Sequence, residues 1–393
     1  KYAGDCDYRH WDLLSRLTQT EISTMSRPVA LLITLLALSS HNAADAGMRN
    51  IILIIGDGFD DQHVTMGRNY LAGMSGKLRV DDLPFRASVQ IETVTGSGTP
   101  SYVADSANTA TSLATGTITS IGRIATDIDD HDVTTIGERA IAAGFKVGLV
   151  TTSSLTDATP ASFLTHVSAR SCEGPEEVLG STYYGIPQPA CLADARDNDG
   201  PGSIIEQLVS SGASVLLGGG RKFMNQTTID NETVSAMAAR YRFRIVTTAG
   251  ELTSADLAQP LIGVFSEETL AVRWQGTDGR TAEATETGWL HNLSDYLGDT
   301  KEPDVMDCEP NPEYGDTPSL ALMTETALEQ LSSDNDQGFF LMIESASIDK
   351  QSHKRDPCGS IGEIAQLEEA LDLAQTFANK HPDTLIIVTA DHA

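Results

Sequence analysis

Basic charge is what this chain has least of. Its 393 residues hold 26 Lys and Arg against 55 Asp and Glu, a net charge of −29, and no Lys/Arg cluster relieves the deficit. A surface of that sign argues against nucleic-acid binding and against attraction to anionic membranes. Long apolar runs are also missing at the N-terminus. The run from Pro28 to Leu38 covers eleven residues and is broken at Thr34, whereas a membrane-spanning helix needs about 20. Met25-Ser26-Arg27 precedes it and Ala44-Asp45-Ala46 follows, so residues 25–46 read as a signal peptide in preference to a core helix. Residues 1–24 are then upstream sequence foreign to the protein, and no membrane anchor remains after cleavage. Thiols are scarce. With Cys6 in the upstream segment, four remain, Cys172, Cys191, Cys308 and Cys358, and their spacing excludes a zinc ribbon. An even number in an exported chain points to two disulfides, with three possible pairings, of which Cys172–Cys191 with Cys308–Cys358 is the simplest. Neither a G-x-G-x-x-G turn nor a P-loop is present.

What is present is a succession of continuous apolar runs. Asn50 to Gly56 leads into Gly56-Asp57-Gly58, Phe145 to Thr152 into Asp157-Ala158-Thr159-Pro160-Ala161, Phe339 to Ile343 into Glu344, and Leu385 to Thr389 into Ala390-Asp391-His392. Unbroken apolar character suits strands covered on both faces of a parallel sheet, and ligands of such sheets gather at the carboxyl ends of the strands. Helical patterns alternate with them: residues 60–72, 318–331, and a stripe from Ile364 to Ala378. The expected fold is α/β, a mainly parallel central sheet sandwiched between helices in a single large domain. A further strand is expected over Ala87 to Thr95. A helix opened by Pro160 is expected to carry His166 and Arg170 one turn apart. Between Gly174 and Tyr314 the pattern thins, with strands near 214–218 and 261–266 and no chemical motif.

Asp105-Ser106 opens a helix of small residues, Ala107 to Leu113. A serine there meets free backbone N–H groups and the positive end of the helix dipole, which suits attack on a phosphate; the plainer alternative is an N-cap. The strand ends decide between them, because they present Asp57, Glu344, Asp349, His353, Asp391 and His392, with the hydroxyls of Ser106 and Thr159. Asp349 and His353 are four apart, one helical turn. Mixed Asp/His donors suit zinc, and carboxylate with hydroxyl suits magnesium. An acidic surface around a site for anions requires local cations, metals and an arginine, to dominate there; the acidity otherwise fits a saline habitat.

With Asp105-Ser106-Ala107, Asp157-Ala158-Thr159-Pro160-Ala161, Arg170-Ser171-Cys172, Glu344 through His353 and Thr389-Ala390-Asp391-His392-Ala393, the chain from Asn50 onward resembles alkaline phosphatases of the bacterial periplasmic kind. The resemblance implies hydrolysis of phosphate monoesters through a phosphoserine at Ser106. Arg170 would grip two phosphoryl oxygens, oriented by Asp105. Two zinc ions and one magnesium ion per subunit are implied: one zinc on Asp57, Asp391 and His392, the other on Asp349 and His353, and magnesium on Asp57, Thr159 and Glu344. Asp157 and Lys350 would tune the magnesium and phosphate positions. A homodimer in the periplasm or secreted is implied as well. The family draws a further zinc-binding histidine from beyond the Asp391-His392 stretch, so the expected organisation is a catalytic domain over 47–393 with its C-terminal part missing. Two alternatives stand beside it, a catalytically incomplete fragment that binds only phosphate or metal, and a related phosphodiesterase. Against the sulfatase branch, the Cys-x-Pro-x-Arg nucleophile pattern is absent.

Overall fold

The apolar runs become strands of one parallel sheet, buried except at the edge strand from Thr384, where Leu385 and Ile387 are exposed. In the computed structural model, which describes residues 47–183, 186–294 and 296–393, the strands are β1 (Asn50–Gly56), β2 (Lys146–Ser154), β3 (Val215–Gly219), β4 (Arg244–Val246), β5 (Leu261–Val264), β6 (Phe339–Ser345) and β7 (Thr384–Ala390). They lie in the order β7-β1-β6-β2-β3-β5-β4, and every neighbouring pair is parallel. Helices cover both faces. Those that matter below are α1 (Asp61–Leu71), α2 (Ser106–Thr115), α3 (Ile136–Ala142), α4 (Leu320–Ser332), α5 (Ser347–Lys354) and α6 (Pro357–Lys380).

Alternate side chains of each strand feed two core layers. Ile52, Ile54, Val150, Leu217, Leu341 and Ile343 pack against Leu320, Met323 and Leu331 of α4 and Ile364, Leu367 and Leu371 of α6. Ile55, Leu149, Leu216, Ile262 and Met342 face the other way, onto Ala107, Phe163, Ile204 and Leu208. Each fully buried Ile or Leu contributes about 1.5–3 kcal/mol, which is why polar residues in these strands are confined to their ends. Residues Arg49–Ala393 form one compact unit. Among the described residues no helix is long and apolar enough to cross a membrane. The signal peptide and upstream segment expected from the sequence lie outside the described residues, as does Cys6. The disulfides are Cys172–Cys191 and Cys308–Cys358, the simplest of the three pairings.

Two local expectations fail. Over Ala87–Thr95 only Thr93–Val94 is strand, paired with Pro100–Ser101, and residues 84–92 are exposed. Their β-branched residues find no sheet edge to join, and β propensity without a partner forms no strand. The helix at Pro160 is a single turn, Ala158–Ala161, and ends well short of His166 and Arg170. Other partners claim the backbone there: Val167 and Ile124 exchange hydrogen bonds in both directions at 3.1 Å, and the Gln207 side chain takes both the N–H and the C=O of His166.

Register sets the site. Gly56 pairs with Ser345 on one side and Ala390 on the other, so Asp57 and Asp391 leave the sheet side by side. Glu344 stands level with Ile55 and with Thr151 of β2.

Candidate active site

Gly58, at φ +65°, lets the chain turn away directly after Asp57, and a Cβ there would lie 3.2 Å from the Asp349 side chain. Its N–H donates to Asp391 Oδ1 at 3.0 Å. Across this turn Ser106 is the first residue of α2, a helix whose small residues Ala107, Ala110 and Ala114 allow close approach to the sheet. Asp105 caps that helix reciprocally with Asn108: its Oδ1 accepts from Asn108 N at 3.1 Å, and Asn108 Oδ1 accepts from Asp105 N at 2.8 Å. The N-cap alternative is therefore true of Asp105, and it leaves the Ser106 hydroxyl free for other work. Ser106 Oγ lies 3.3 Å from Asp57 Oδ1, to which it donates, and 3.1 Å from His392 Nε2. His392 Nε2 is 3.2 Å from Asp57 Oδ1 and 3.7 Å from Asp391 Oδ2. Asp57, Asp391 and His392 thus present three ligand atoms within 4.8 Å of one another, drawn from the ends of two neighbouring strands.

Asp349 and His353 share one turn of α5, with Nε2 and Oδ2 3.5 Å apart. Glu344 is buried and accepts from the hydroxyls of Thr151 and Ser153. On the other flank, Arg170 Nη1 donates to Asp105 Oδ2 at 3.2 Å and Nη2 to Asp157 Oδ1 at 2.8 Å. Lys350 Nζ donates to the second Asp157 oxygen. Thr159 sits on the single turn after Asp157 with its Oγ1 sealed from water and without a hydrogen-bond partner.

Charge follows from this packing. Burial, with the neighbouring Asp57, pushes the Glu344 and Asp391 carboxyls well above their ordinary values and raises Asp349 as well. Burial works against the charged His392 ring, but Asp57 and Asp391 outweigh it and raise the ring to about 9. Asp157 moves the opposite way: despite burial, Lys350 and Arg170 hold it below the usual carboxylate range. Several carboxylates crowded in one buried place, beside an orphaned hydroxyl, are a costly arrangement unless cations share it. The donor chemistry, oxygen and imidazole nitrogen on three strand ends and one helix turn, fits divalent metal ions.

A sequence model described as alkaline phosphatase matches residues 48–393. The chain belongs to the alkaline phosphatase family. It is 40% identical over 359 residues to alkaline phosphatase of Escherichia fergusonii, an alignment spanning 89% of this chain and 71% of that one. The crystal structure of Thermus thermophilus alkaline phosphatase superposes with a TM-score of 0.63 at 26% identity, over 88% of this chain and 60% of the other. A TAB5 alkaline phosphatase mutant, solved with Mg bound in its M3 site, gives 0.61 at 25% identity over 88% and 78%. As a member of this metal-dependent family the protein is a hydrolase of phosphate monoesters. A fragment that only binds phosphate, or a phosphodiesterase, is not favoured.

Several contributors escaped the sequence. Thr151 and Ser153 support Glu344, Thr109 Oγ1 donates to Asp391 Oδ2 at 3.4 Å, and Gly122 N donates to Asp105. A signal existed for the first two: β2 changes from apolar to Thr151-Thr152-Ser153-Ser154 at the carboxyl end, a place where hydroxyls are expensive to bury without a task.

Proposed function

We propose that Ser106 Oγ is the nucleophile of a two-step phosphomonoester hydrolysis. What supports this most is its position at the N-terminus of α2, 3.1 Å from His392 Nε2 and 3.3 Å from Asp57, with the Arg170 guanidinium on the Asp105 side of the same helix start. In the first step the Ser106 Oγ–phosphorus bond forms as the ester phosphorus–oxygen bond breaks, the serine gives up its hydroxyl proton and the ester oxygen leaves as the protonated alcohol. In the second, water takes the phosphoryl group, and the Ser106 hydroxyl is restored. Arg170 offers a planar fork to two phosphoryl oxygens, held by Asp105 and Asp157 so that little entropy is lost on binding. Lys350, paired with Asp157, adds a second positive charge behind that fork. The donor sets support one zinc ion on Asp57, Asp391 and His392, a second on Asp349 and His353, and magnesium on Asp57, Thr159 and Glu344. When bound, these ions supply the Lewis acidity and positive charge that phosphoryl transfer demands at its entering and leaving oxygens. We further propose a homodimer acting in the periplasm or secreted, released by cleavage of residues 25–46; two disulfides are in keeping with an oxidising compartment.

Labelled phosphate trapped by acid quench, followed by peptide mapping, tests the nucleophile. The label is expected on the peptide containing Ser106 and absent from Ser106→Ala. Labelling that survives Ser106→Ala contradicts the assignment.

A further inference from the structure

Arg170 sits on no helix or strand, so its precision has to come from what surrounds it. Its backbone N–H donates to Gly122 O at 2.7 Å, and Gly122 N in turn donates to the Asp105 carboxylate at 3.1 and 3.2 Å. The segment 122–125 therefore touches both residues of the Asp105–Arg170 ion pair. It is pinned to the nucleophile's helix as well: Thr111 Oγ1 of α2 donates to Arg123 O at 3.0 Å and accepts from Ala125 N at 2.9 Å. At its far end Ala125 has φ +42°, a conformation that side chains with a Cβ seldom adopt and that must be held from outside.

His166 holds it. The ring is buried, with Nδ1 2.9 Å from Ala125 O and Nε2 2.9 Å from Glu138 Oε1 of α3. Neither acceptor has a proton to give, so both contacts are satisfied together only when the ring carries two. Its own backbone is clamped by the Gln207 amide at 2.8 Å on each side. Glu138 is fixed separately, because its other oxygen accepts from Thr135 N at 2.8 Å in the cap of α3. We propose that His166 is a positioning residue for Arg170: braced between Glu138 and the Ala125 carbonyl, it sets the path of the 122–125 segment and through it the aim of the guanidinium at phosphate. This rests on the reading of Arg170 as the phosphate grip.

The charged groups facing the ring are Glu138 from α3 and Asp132 from the loop before it, while Asp194 takes the N–H and hydroxyl of Ser168 two residues on. Burial opposes the charged ring, yet these carboxylates outweigh it and hold His166 above its ordinary value. Glu138 is drawn below its own despite its partial burial.

The test compares inorganic phosphate affinity, by competition against p-nitrophenyl phosphate and by calorimetry, in the metal-loaded full chain and in His166→Gln, Glu138→Gln and Arg170→Ala. His166→Gln is expected to raise the phosphate inhibition constant and KM roughly tenfold while kcat per active site changes by less than about twofold, since a displaced positioning group costs binding geometry. Glu138→Gln keeps an acceptor for Nε2 and is expected to shift both constants the same way by a smaller factor, about threefold. It also decides the matter should His166→Gln not fold. A purely structural role would lower Tm and leave KM and the inhibition constant of the folded enzyme within twofold of wild type; that result for both variants overturns the proposal. Phosphate affinity unchanged in Arg170→Ala instead overturns the reading of Arg170 on which it stands.

Discussion

At the scale of single residues, Asp57 is the most burdened. It touches the Ser106 hydroxyl, faces His392, and its charge raises the carboxyls of Glu344, Asp391 and Asp349. Asp57→Ala should therefore remove bound metal and lower activity by at least about a hundredfold, since misplacing the reacting groups by an ångström already costs that much; metal analysis beside kcat/KM checks both. A second prediction lies away from the site. Arg68 donates to both oxygens of Asp81, at 2.8 and 2.6 Å, and Leu78 N donates to one of them. That pairing, stronger than the opposing effect of burial, lowers Asp81 from 3.8 to about 2. A depressed carboxyl stabilises the fold above its unfolded value and loses that contribution as pH falls toward the folded one. The Tm gap between wild type and Asp81→Asn is thus expected to be full near neutrality and to close between about pH 4 and pH 2.

At the scale of elements, the sequence was most legible where physics is local. The runs at Asn50, Lys146, Phe339 and Thr384 read as buried parallel strands because nothing polar interrupts them, and all four emerge as parallel strands within a residue or two of the expected bounds, although the one from Thr384 lies at the sheet edge with Leu385 and Ile387 exposed. The side-chain groups at their carboxyl ends, with Ser106 at a helix start, were legible for the same reason. Strand order was not, since register between Gly56, Ser345 and Ala390 depends on partners hundreds of residues apart. The path of Arg170 was misread because the backbone from His166 to Arg170 is held by Gly122, Ile124 and Gln207, partners far away in the sequence that leave no local signal there. Elements also predict stability. A Cβ on Gly219, at the end of β3, would sit 1.7 Å from Glu268 O, whereas one on Gly96 meets nothing within 4 Å. Gly219→Ala should cost more than about 2 kcal/mol and Gly96→Ala a small fraction of that, as read by urea unfolding. Replacing Cys172 and Cys191 together by Ala frees a chain segment of sequence separation 19 and should cost about 2–4 kcal/mol. Because the bridge closes two residues past Arg170, KM should rise in the same variant.

The whole molecule sets field and metal load. A net charge of −29 repels a dianionic ester until it enters the zone of Arg170, Lys350 and bound cations. Raising ionic strength screens that repulsion, so kcat/KM for p-nitrophenyl phosphate should increase from low to moderate salt, and a decrease would mean that local positive charge controls encounter. The central claim is that carboxylates and imidazoles from separate strand ends hold divalent cations beside Ser106. Anomalous diffraction at the zinc edge, on crystals of the metal-loaded enzyme, tests it most directly. The account predicts two zinc peaks in the active site, one bounded by Asp57, Asp391 and His392 next to Ser106 Oγ and the other at Asp349 and His353. An active enzyme whose zinc peaks lie away from those side chains would contradict it.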